Sequence, residues 1–410
     1  MQNKFLDKFD ITIVIATILM VMMGVVSIFS ATYANTSGTD FYLKQMIFGI
    51  VGFVIMIIIS FLPPKYFSKF AYSLYILSIL LLILVLVFGK TINGNKSWFY
   101  VGGFGIQPSE FAKIATILAL ANFISPGEES RDPNKLFTFV KACIFIVIPA
   151  ALIKLEHDTG TTLVMLCFIV PMFFWAGISP FWLFAIISPL VLAVLSFLNP
   201  TAFYIGIFVV GISLFFFKKK ILISVLILVI NLSAGFSVHY FYSKLATYQQ
   251  NRITAVFDPA SDPLGSGYNV IQSKVAIGSG GITGKGYLQG SQTQLKFIPE
   301  QWTDFIFCMI GEEFGLMGAG FIVIVFFIII YRLISIAYSS KNKFLALCCI
   351  GFASLFLFHL FINVGMTIGM MPVIGIPLPL VSYGVSSLLT FMAMIGIALN
   401  AYRHKNLYIT

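Results

Sequence analysis

The sequence predicts an all-α polytopic membrane protein, because its composition and its hydrophobic pattern agree. Hydrophobic residues make up 59% of the 410 residues and charged residues only 10%, whereas soluble proteins have about a quarter charged residues. Apolar segments recur along the whole chain, and about 20 apolar residues of helix cross a hydrocarbon core of roughly 30 Å. No segment has the composition of a separate soluble domain, so residues 1–410 are predicted to form one integral membrane domain.

Twelve apolar segments are predicted to span the membrane. The first follows Lys4 and Lys8 and lacks an A-x-A cleavage site, so we expect it to remain as a span. The region 181–241 is divided into three by Asn199-Pro200 and by the lysines at 218–220. The predicted spans are 11–31, 43–62, 67–88, 108–124, 137–154, 160–178, 181–198, 201–217, 221–241, 304–331, 344–370 and 380–401.

The basic residues predict the orientation of the chain. With the amino terminus inside, fifteen lysines and arginines fall in cytoplasmic segments and nine in outer segments. Five of these nine belong to one long loop, 243–303, and long loops escape the positive-inside rule. We therefore predict that both termini are cytoplasmic and that this loop is extracellular. This topology accounts for most of the net charge of +10, so no nucleic-acid partner is expected.

The composition of the long outer loop indicates a function. Eight glycines lie between Gly265 and Gly290, and the loop is too long for a simple connector. It is either flexible and solvated or, since apolar residues alternate with polar ones, packed on the rest of the protein. The glycines fit neither a P-loop nor a G-x-G-x-x-G motif, so nucleotide binding is not predicted. Backbone amides together with Lys274 or Lys285 could still hold a phosphate.

Two ionisable residues lie in the predicted fourth span, where charge is costly. Pro108 suits the first helical position, and Glu110 lies in the first turn, near the positive end of the helix dipole. Lys113 follows one turn deeper on the same face, so the two side chains are predicted to pair. The pair is either structural or lines a cavity that receives an anionic ligand.

Acids also occur at the start of the sixth and tenth spans. Asp158 is predicted to be an N-cap, a position that aspartate favours. Thr303 or Asp304 could likewise be an N-cap, but Asp304 comes directly after the long loop and behind Glu300, which favours a functional role for it. Glu312 and Glu313 lie two turns deeper. Because adjacent helical residues point about 100° apart, these two cannot face one partner, and a structural role is predicted for them.

Trp98 lies in the predicted outer segment between the third and fourth spans. Its simpler interpretation is an aromatic residue of the membrane interface, and the alternative is a platform on which a sugar or a lipid headgroup stacks.

The cysteines and histidines indicate no metal or disulfide site. The five cysteines lie in apolar segments without C-x-x-C spacing, and the four histidines are far apart. No cofactor is evident; a divalent cation stays an open alternative that nothing in the sequence supports.

Six segments resemble a known family. They are GIQPSEFAKIA at 105–115, DTGTTLV at 158–164, FDPASDPLGSGYNVIQSKVAIGSGGITGKG at 257–286, QGSQTQLKFIPEQWTDFIF at 289–307, GEEFGLMG at 311–318 and NVGMTIGMMPVIGIPLPLVSYG at 363–384. Together they resemble the SEDS family (shape, elongation, division and sporulation) of bacterial membrane proteins. The block from 271 to 307 is more similar to the elongation branch than to the division branch.

The resemblance implies a peptidoglycan glycosyltransferase of the bacterial cytoplasmic membrane. Such an enzyme polymerises lipid II at the outer face during cell elongation and shape maintenance, with a class B penicillin-binding protein as partner. The resemblance implies that Asp304 is required for polymerisation and that Trp98, Glu110 and Lys113 are also needed. The alternatives are a flippase for lipid-linked precursors, which twelve spans and an intramembrane ion pair also suit, or a non-catalytic scaffold of the elongation machinery.

If the resemblance holds, we expect Asp304 to act as general base for an attacking sugar hydroxyl, with Glu300 beside it in the substrate cleft. Basic groups are expected to offset the charge of the departing pyrophosphate. The remaining candidate substrate-binding residues are Lys113, Arg252, Lys274, Lys285 and Asp158.

Three features depart from the family pattern. Family members usually have ten spans, so the region 181–241 is predicted to contain a two-helix insertion. Val385 stands where the motif SYGGSS has its second glycine. Ser97 precedes Trp98 where a basic residue is usual, and Lys96 lies one position further back.

Overall fold

The computed structural model describes residues 9–33, 40–92, 94–101, 104–125, 134–217, 221–258 and 266–406. Lys4, Lys8, the lysines at 218–220 and the part of the glycine-rich segment at 259–265 lie outside the described residues.

Most of the described residues are helical. The helices are α1 (Ile11–Tyr33), α2 (Asp40–Phe61), α3 (Lys65–Phe88), α4 (Pro108–Ile124), α5 (Leu136–Leu155), α6 (Thr159–Cys167), α7 (Ile169–Trp175), α8 (Pro180–Leu198), α9 (Pro200–Phe216), α10 (Ile221–Lys244), α11 (Thr247–Phe257), α12 (Ser266–Gly280), α13 (Ser291–Gln294), α14 (Ile306–Glu313), α15 (Gly315–Ser339), α16 (Lys343–Thr367) and α17 (Val385–Arg403).

The predicted polytopic membrane fold is confirmed. In the described part of the chain, nine helices are long and apolar enough to cross a membrane, namely α1, α2, α3, α5, α8, α10, α15, α16 and α17. The stretch Thr159–Trp175 and helix α9 are shorter apolar units, and α4 has 17 residues. Each of the twelve predicted spans therefore contains a helix, although the sixth is divided at Phe168.

Helix α16 lies at the centre of the bundle, since 83% of its apolar stretch is buried, compared with 17% for α10. It packs against α15, α4 and α17. Helices α9 and α10 pack on α8 and on each other and expose large apolar side chains, as helices at a lipid-facing edge do. The region predicted as an insertion therefore lies at the periphery, away from the centre of the bundle.

A small antiparallel sheet connects α3 and α4, which an all-α prediction did not include. Its strands are β1 (Lys90–Ile92), β2 (Asn95–Val101) and β3 (Phe104–Ile106), in the order β1-β2-β3. Its position is fixed by a hydrogen bond from the Lys96 amide to the Glu156 carbonyl at the end of α5, with an N···O distance of 3.1 Å. This bond anchors β2, the strand that carries Trp98, to the end of α5.

The long loop predicted at 243–303 is largely structured where it is described. Helix α10 extends to Lys244, and α11, α12 and α13 follow it. Helix α12 packs against α14 and α16, so the packed interpretation is confirmed for this part of the loop. The predicted start of the tenth span at residue 304 is too early: α14 begins at Ile306, and the candidate membrane span begins at Gly315. Asp304 therefore lies in the turn that precedes these helices.

Candidate active site

The backbone around Asp304 is held in place by hydrogen bonds to three consecutive carbonyl groups. The carbonyl oxygen of Asp304 accepts a hydrogen bond from the side-chain amide of Asn363 at 2.9 Å. The carbonyl of Thr303 accepts one from the hydroxyl of Ser382 at 2.6 Å, and that of Trp302 accepts one from the amide of Tyr383 at 2.9 Å. Helix α16 and the segment 368–384 thus fix the turn from both sides.

The Asp304 carboxylate itself is half-buried and, among the described residues, receives no hydrogen bond. Burial, together with the negative charges of Glu300 and Asp158, raises the pKa of this carboxyl to about 7, while the positive charge of Arg252 opposes the rise. A carboxylate with this pKa and free lone pairs can accept a proton near neutral pH.

Gly375 lies directly against the Asp304 carboxylate. Its φ is +79°, a conformation that residues with a Cβ atom rarely adopt, and a Cβ built on it would lie 3.1 Å from Oδ2 of Asp304. The side chain of Asn363 adds a second link, because its amide also donates to the Ile376 carbonyl at 2.8 Å. Sequence reasoning did not identify Asn363 or Gly375. The available signal was their position in the last of the six matching segments.

Asp158 connects this site to the start of α6. As predicted, it caps the helix, accepting from the Thr161 amide at 2.9 Å and from the Thr161 hydroxyl at 2.8 Å. The side-chain amide of Gln107 also donates to it at 3.0 Å. Two residues later, Gly160 packs against Ile374 and Ile376, on either side of the glycine that contacts Asp304. The starts of α4 and α6 therefore adjoin the turn that carries Asp304.

The predicted pair in α4 forms. Nζ of Lys113 lies 2.8 Å from Oε1 of Glu110, and both side chains are buried. The ammonium also lies 5.4 Å from the ring centroid of Phe391. The second oxygen of Glu110, Oε2, is buried and has no hydrogen-bond partner among the described residues. The pair therefore retains one acceptor that is available to a polar group in the bundle.

The loop bases are placed differently from one another. Arg252 on α11 is exposed and is one of the charges that act on Asp304. Lys274 on α12 is exposed too, and the end of its side chain packs on Gly369, just beyond α16. Next to it, the Ser273 hydroxyl donates to the Thr367 carbonyl at 2.8 Å. Lys274 thus lies at the end of α16, about one turn beyond the residue that binds the Asp304 carbonyl.

Lys285 has a different environment from the other loop bases. Its ammonium lies 2.8 Å from Oε1 of Glu312 and donates to the Ser291 hydroxyl at 2.8 Å. Its backbone amide and that of Gly286 donate to the carbonyls of Glu312 and Glu313, at 3.0 Å and 3.1 Å. These two backbone amides already donate hydrogen bonds within the protein, so they are not available to hold a phosphate as predicted.

Glu300 and Trp98 lie at exposed or partly exposed positions. Glu300 has a φ of +52°, and its carboxylate accepts from the Thr303 hydroxyl at 3.2 Å on the surface of the turn. Trp98 is partly buried in β2, with its ring against Gly105 of β3. Both interpretations of Trp98, membrane-interface residue and stacking platform, stay predictions.

Comparison with known proteins identifies relatives along the whole chain. A family model for FtsW, RodA and SpoVE, described as a cell cycle protein, matches residues 10–205 and 190–407. The peptidoglycan glycosyltransferase MrdB of Escherichia coli strain K12 is 33% identical over 410 residues, with coverage of 99% of this chain and 97% of the relative. The peptidoglycan glycosyltransferase RodA of Treponema pallidum is 34% identical, with coverage of 98% and 99%. Stage V sporulation protein E of Bacillus subtilis is 31% identical, with coverage of 97% of both chains.

Solved structures give the same result for the fold. A chain from a peptidoglycan synthase complex, described as coordinating polymerization and crosslinking, superposes with a TM-score of 0.73 at 25% identity and covers 97% of this chain and 98% of its own. Thermus thermophilus RodA, a rod shape determining protein, superposes with a TM-score of 0.64 at 24% identity and covers 98% of both. The predicted family is confirmed: the chain belongs to the FtsW, RodA and SpoVE family of cell cycle proteins.

Proposed function

We propose that this chain is a peptidoglycan glycosyltransferase that polymerises lipid II at the outer face of the bacterial cytoplasmic membrane during elongation and shape maintenance. Relatives that match nearly the whole chain are named peptidoglycan glycosyltransferases. The observation that carries the proposal is the Asp304 carboxylate, which is half-buried, receives no hydrogen bond from the described residues and sits on a turn fixed by three backbone carbonyls.

In the proposed reaction Asp304 is the general base. A sugar hydroxyl gives its proton to the Asp304 carboxylate as its oxygen forms a bond to the anomeric carbon of the lipid-linked donor. The bond from that carbon to the undecaprenyl pyrophosphate breaks, and the leaving group keeps the electron pair. A pKa of about 7 lets Asp304 be ionised at neutral pH and still hold the proton afterwards. One displacement at an α-linked donor gives a β-linked product.

Basic side chains around the turn offset the charge that develops on the pyrophosphate. Arg252 and Lys274 are both exposed. The charge of Arg252 acts on Asp304, and Lys274 lies on α12, which is bonded to the end of α16 through Ser273. Lys113 is a deeper candidate, since its ammonium has three N–H donors and pairs with the single carboxylate oxygen Oε1 of Glu110. We assign Lys285 to Glu312 instead, because its ammonium is already paired there.

The orientation belongs to the same proposal. With both termini in the cytoplasm, the turn that carries Asp304 faces outward, where a lipid-linked disaccharide is presented. The excess of basic residues in short inner segments supports this orientation.

We also propose a class B penicillin-binding protein as the partner that crosslinks the product. The support is the superposition on a chain of a peptidoglycan synthase complex described as coordinating polymerization and crosslinking.

The test is lipid II polymerisation by the purified protein with its transpeptidase partner. The wild type is expected to make glycan strands, and Asp304→Asn, which keeps the size of the side chain but removes its basicity, is expected to bind lipid II without polymerising it. Retained polymerisation by Asp304→Asn would contradict the role of Asp304. Transport of lipid II in proteoliposomes without polymerisation by the wild type would instead favour the flippase alternative.

A further inference from the structure

The carboxylate of Glu312 is surrounded by hydrogen-bond donors. It is fully buried, and its Oε1 accepts from the Lys285 ammonium at 2.8 Å, from the backbone amide of Gln292 at 2.9 Å and from the Ser291 hydroxyl at 3.3 Å. Its Oε2 accepts from the amide and the hydroxyl of Thr293, at 3.0 Å and 2.8 Å. Charge-assisted bonds of this kind are the strong ones in proteins, and the ammonium compensates the buried charge.

These bonds hold α13, which in turn contacts the Asp304 turn. The carbonyl of Thr293 accepts a hydrogen bond from the side-chain amide of Gln301 at 3.1 Å, and the same amide donates to the Ala31 carbonyl in α1 at 2.7 Å. Gln301 is buried and lies three residues before Asp304. The path from Glu312 to the candidate base therefore has two intermediate residues, Thr293 and Gln301.

Glu313 connects the same segment to α1 by a separate path. Its Oε1 accepts from the Ser30 hydroxyl at 2.6 Å and from the side-chain amide of Gln294 at 3.4 Å. The prediction that the two adjacent glutamates have different partners is confirmed. Helix α1 thus provides the fixed frame against which α13 and the turn are placed.

Backbone packing explains why Lys285 can reach Glu312. Gly284 has a φ of +83° and packs against the backbone of Glu313, so that no Cβ atom fits there. Gly281 and Ile282 accept hydrogen bonds from the amides of Leu316 and Met317, at 2.9 Å and 3.1 Å. The glycine-rich segment is therefore docked on the break between α14 and α15, which brings Lys285 alongside Glu312.

We propose that Glu312, together with Lys285, is a positioning residue for the polymerisation reaction: it fixes α13, and through Thr293 and Gln301 it fixes the turn that carries Asp304. This inference rests on the proposed function. It gives the glycine-rich segment a role in geometry and leaves the chemistry to Asp304. A displaced base loses rate steeply, since about 1 Å of misplacement can cost about 10²-fold.

The test compares Glu312→Gln, Gln301→Met and the double variant in the polymerisation assay. Glutamine keeps the size of Glu312 but loses the charge and turns an NH₂ group toward donors, while Gln301→Met removes the amide that joins α13 to α1. Each single variant is expected to lower kcat by about tenfold or more with KM changed by less than about twofold. Because both act on one path, the double variant is expected to be little worse than the poorer single variant.

A matched control is the partly buried ion pair toward the opposite end of α15. Arg332 bonds Asp10 with an NH2···Oδ2 distance of 2.6 Å, and the pair joins the start of α1 to α15, away from α13 and the Asp304 turn. Arg332→Met is expected to lower stability while kcat of the folded protein stays unchanged. An equal loss of kcat in Arg332→Met, or fully additive losses in the double variant, would overturn the proposal.

Two further measurements keep the inference independent of folding and of the proposed function. Lys285→Met leaves the Glu312 side chain in place and is expected to reproduce the kcat loss if Glu312→Gln does not fold. Amide hydrogen exchange across residues 291–304 reports the position of the turn directly. If the wild type fails to polymerise, the proposed function fails. If exchange in these residues is unchanged in Glu312→Gln and Lys285→Met, the positioning role fails.

Discussion

The contact between Gly375 and Asp304 gives the sharpest test of the candidate base. Replacing Gly375 by alanine has two separate effects. The first is backbone strain, because φ is +79° and a left-handed conformation costs an alanine about 1–2 kcal/mol. The second is crowding of the carboxylate, because the new Cβ would lie 3.1 Å from Oδ2 of Asp304.

The crowding sets the expected loss of activity. A separation of 3.1 Å is shorter than an ordinary van der Waals contact, so the carboxylate must move by a few tenths of an ångström. If about 1 Å of misplacement costs about 10²-fold, a displacement of about 0.3 Å costs roughly fourfold, and we expect a loss in kcat of roughly 3- to 10-fold.

Gly177→Ala separates the two effects. Gly177 has nearly the same φ, +80°, but a Cβ there meets no atom of the described residues within 4 Å. Both alanine variants are therefore expected to lose about 1–2 kcal/mol of unfolding free energy, and only Gly375→Ala is expected to lose kcat as well. The assays are chemical denaturation in detergent and lipid II polymerisation with the transpeptidase partner. Equal kcat values for the two variants would refute the close approach of Gly375 to a working base.

Three further predictions follow from the charged groups. Polymerisation is expected to rise with pH up to a plateau above about 7, because Asp304 must be ionised to accept a proton; a pH-independent rate between 5 and 9 would count against it. Lys113→Met is expected to destabilise the protein by about 3–5 kcal/mol, and adding Glu110→Gln is expected to restore part of this loss, since the second change removes an unpaired buried charge; denaturation of the wild type and of these two variants checks it. Burial raises the pKa of Glu156 to about 8, so the folded state holds this proton more tightly than the unfolded state. The free energy of unfolding is therefore expected to fall by at most about 5 kcal/mol between pH 4.5 and 8. Glu156→Gln should lack this decrease.

The sequence was sufficient for features that depend on local residues. Membrane helices follow from hydrophobic length alone, because lipid covers their outer faces and no distant partner is needed. The Glu110–Lys113 pair follows from its i,i+3 spacing, and the Asp158 cap follows from its position before an apolar run. These predictions held because each feature is decided within a few residues.

The surroundings of Asp304 could not be predicted in this way. Asn363 and Ser382 reach the Asp304 turn across 59 and 79 residues of sequence, so no local pattern reports them. The sequence pattern predicts a loop where the short helices α11 to α13 lie, because these helices are too short and too polar to give a membrane-span signal. The predicted start of the tenth span lies two residues before α14 for a related reason: Asp304 suits an N-cap directly before an apolar run, and the long-range bonds that hold the turn non-helical are invisible in the sequence.

Asp304 and Glu312 differ mainly in the number of donors that surround them. Five protein donors converge on Glu312, so its negative charge is stabilised and its lone pairs are occupied. Such a carboxylate is a poor base, because a proton would have to displace bonds that the fold depends on. Asp304 receives none from the described residues and has other acids nearby, so protonation relieves repulsion and breaks no protein hydrogen bond. The fold therefore uses one acid to fix a geometry and leaves the other free to react, although the two are only eight positions apart.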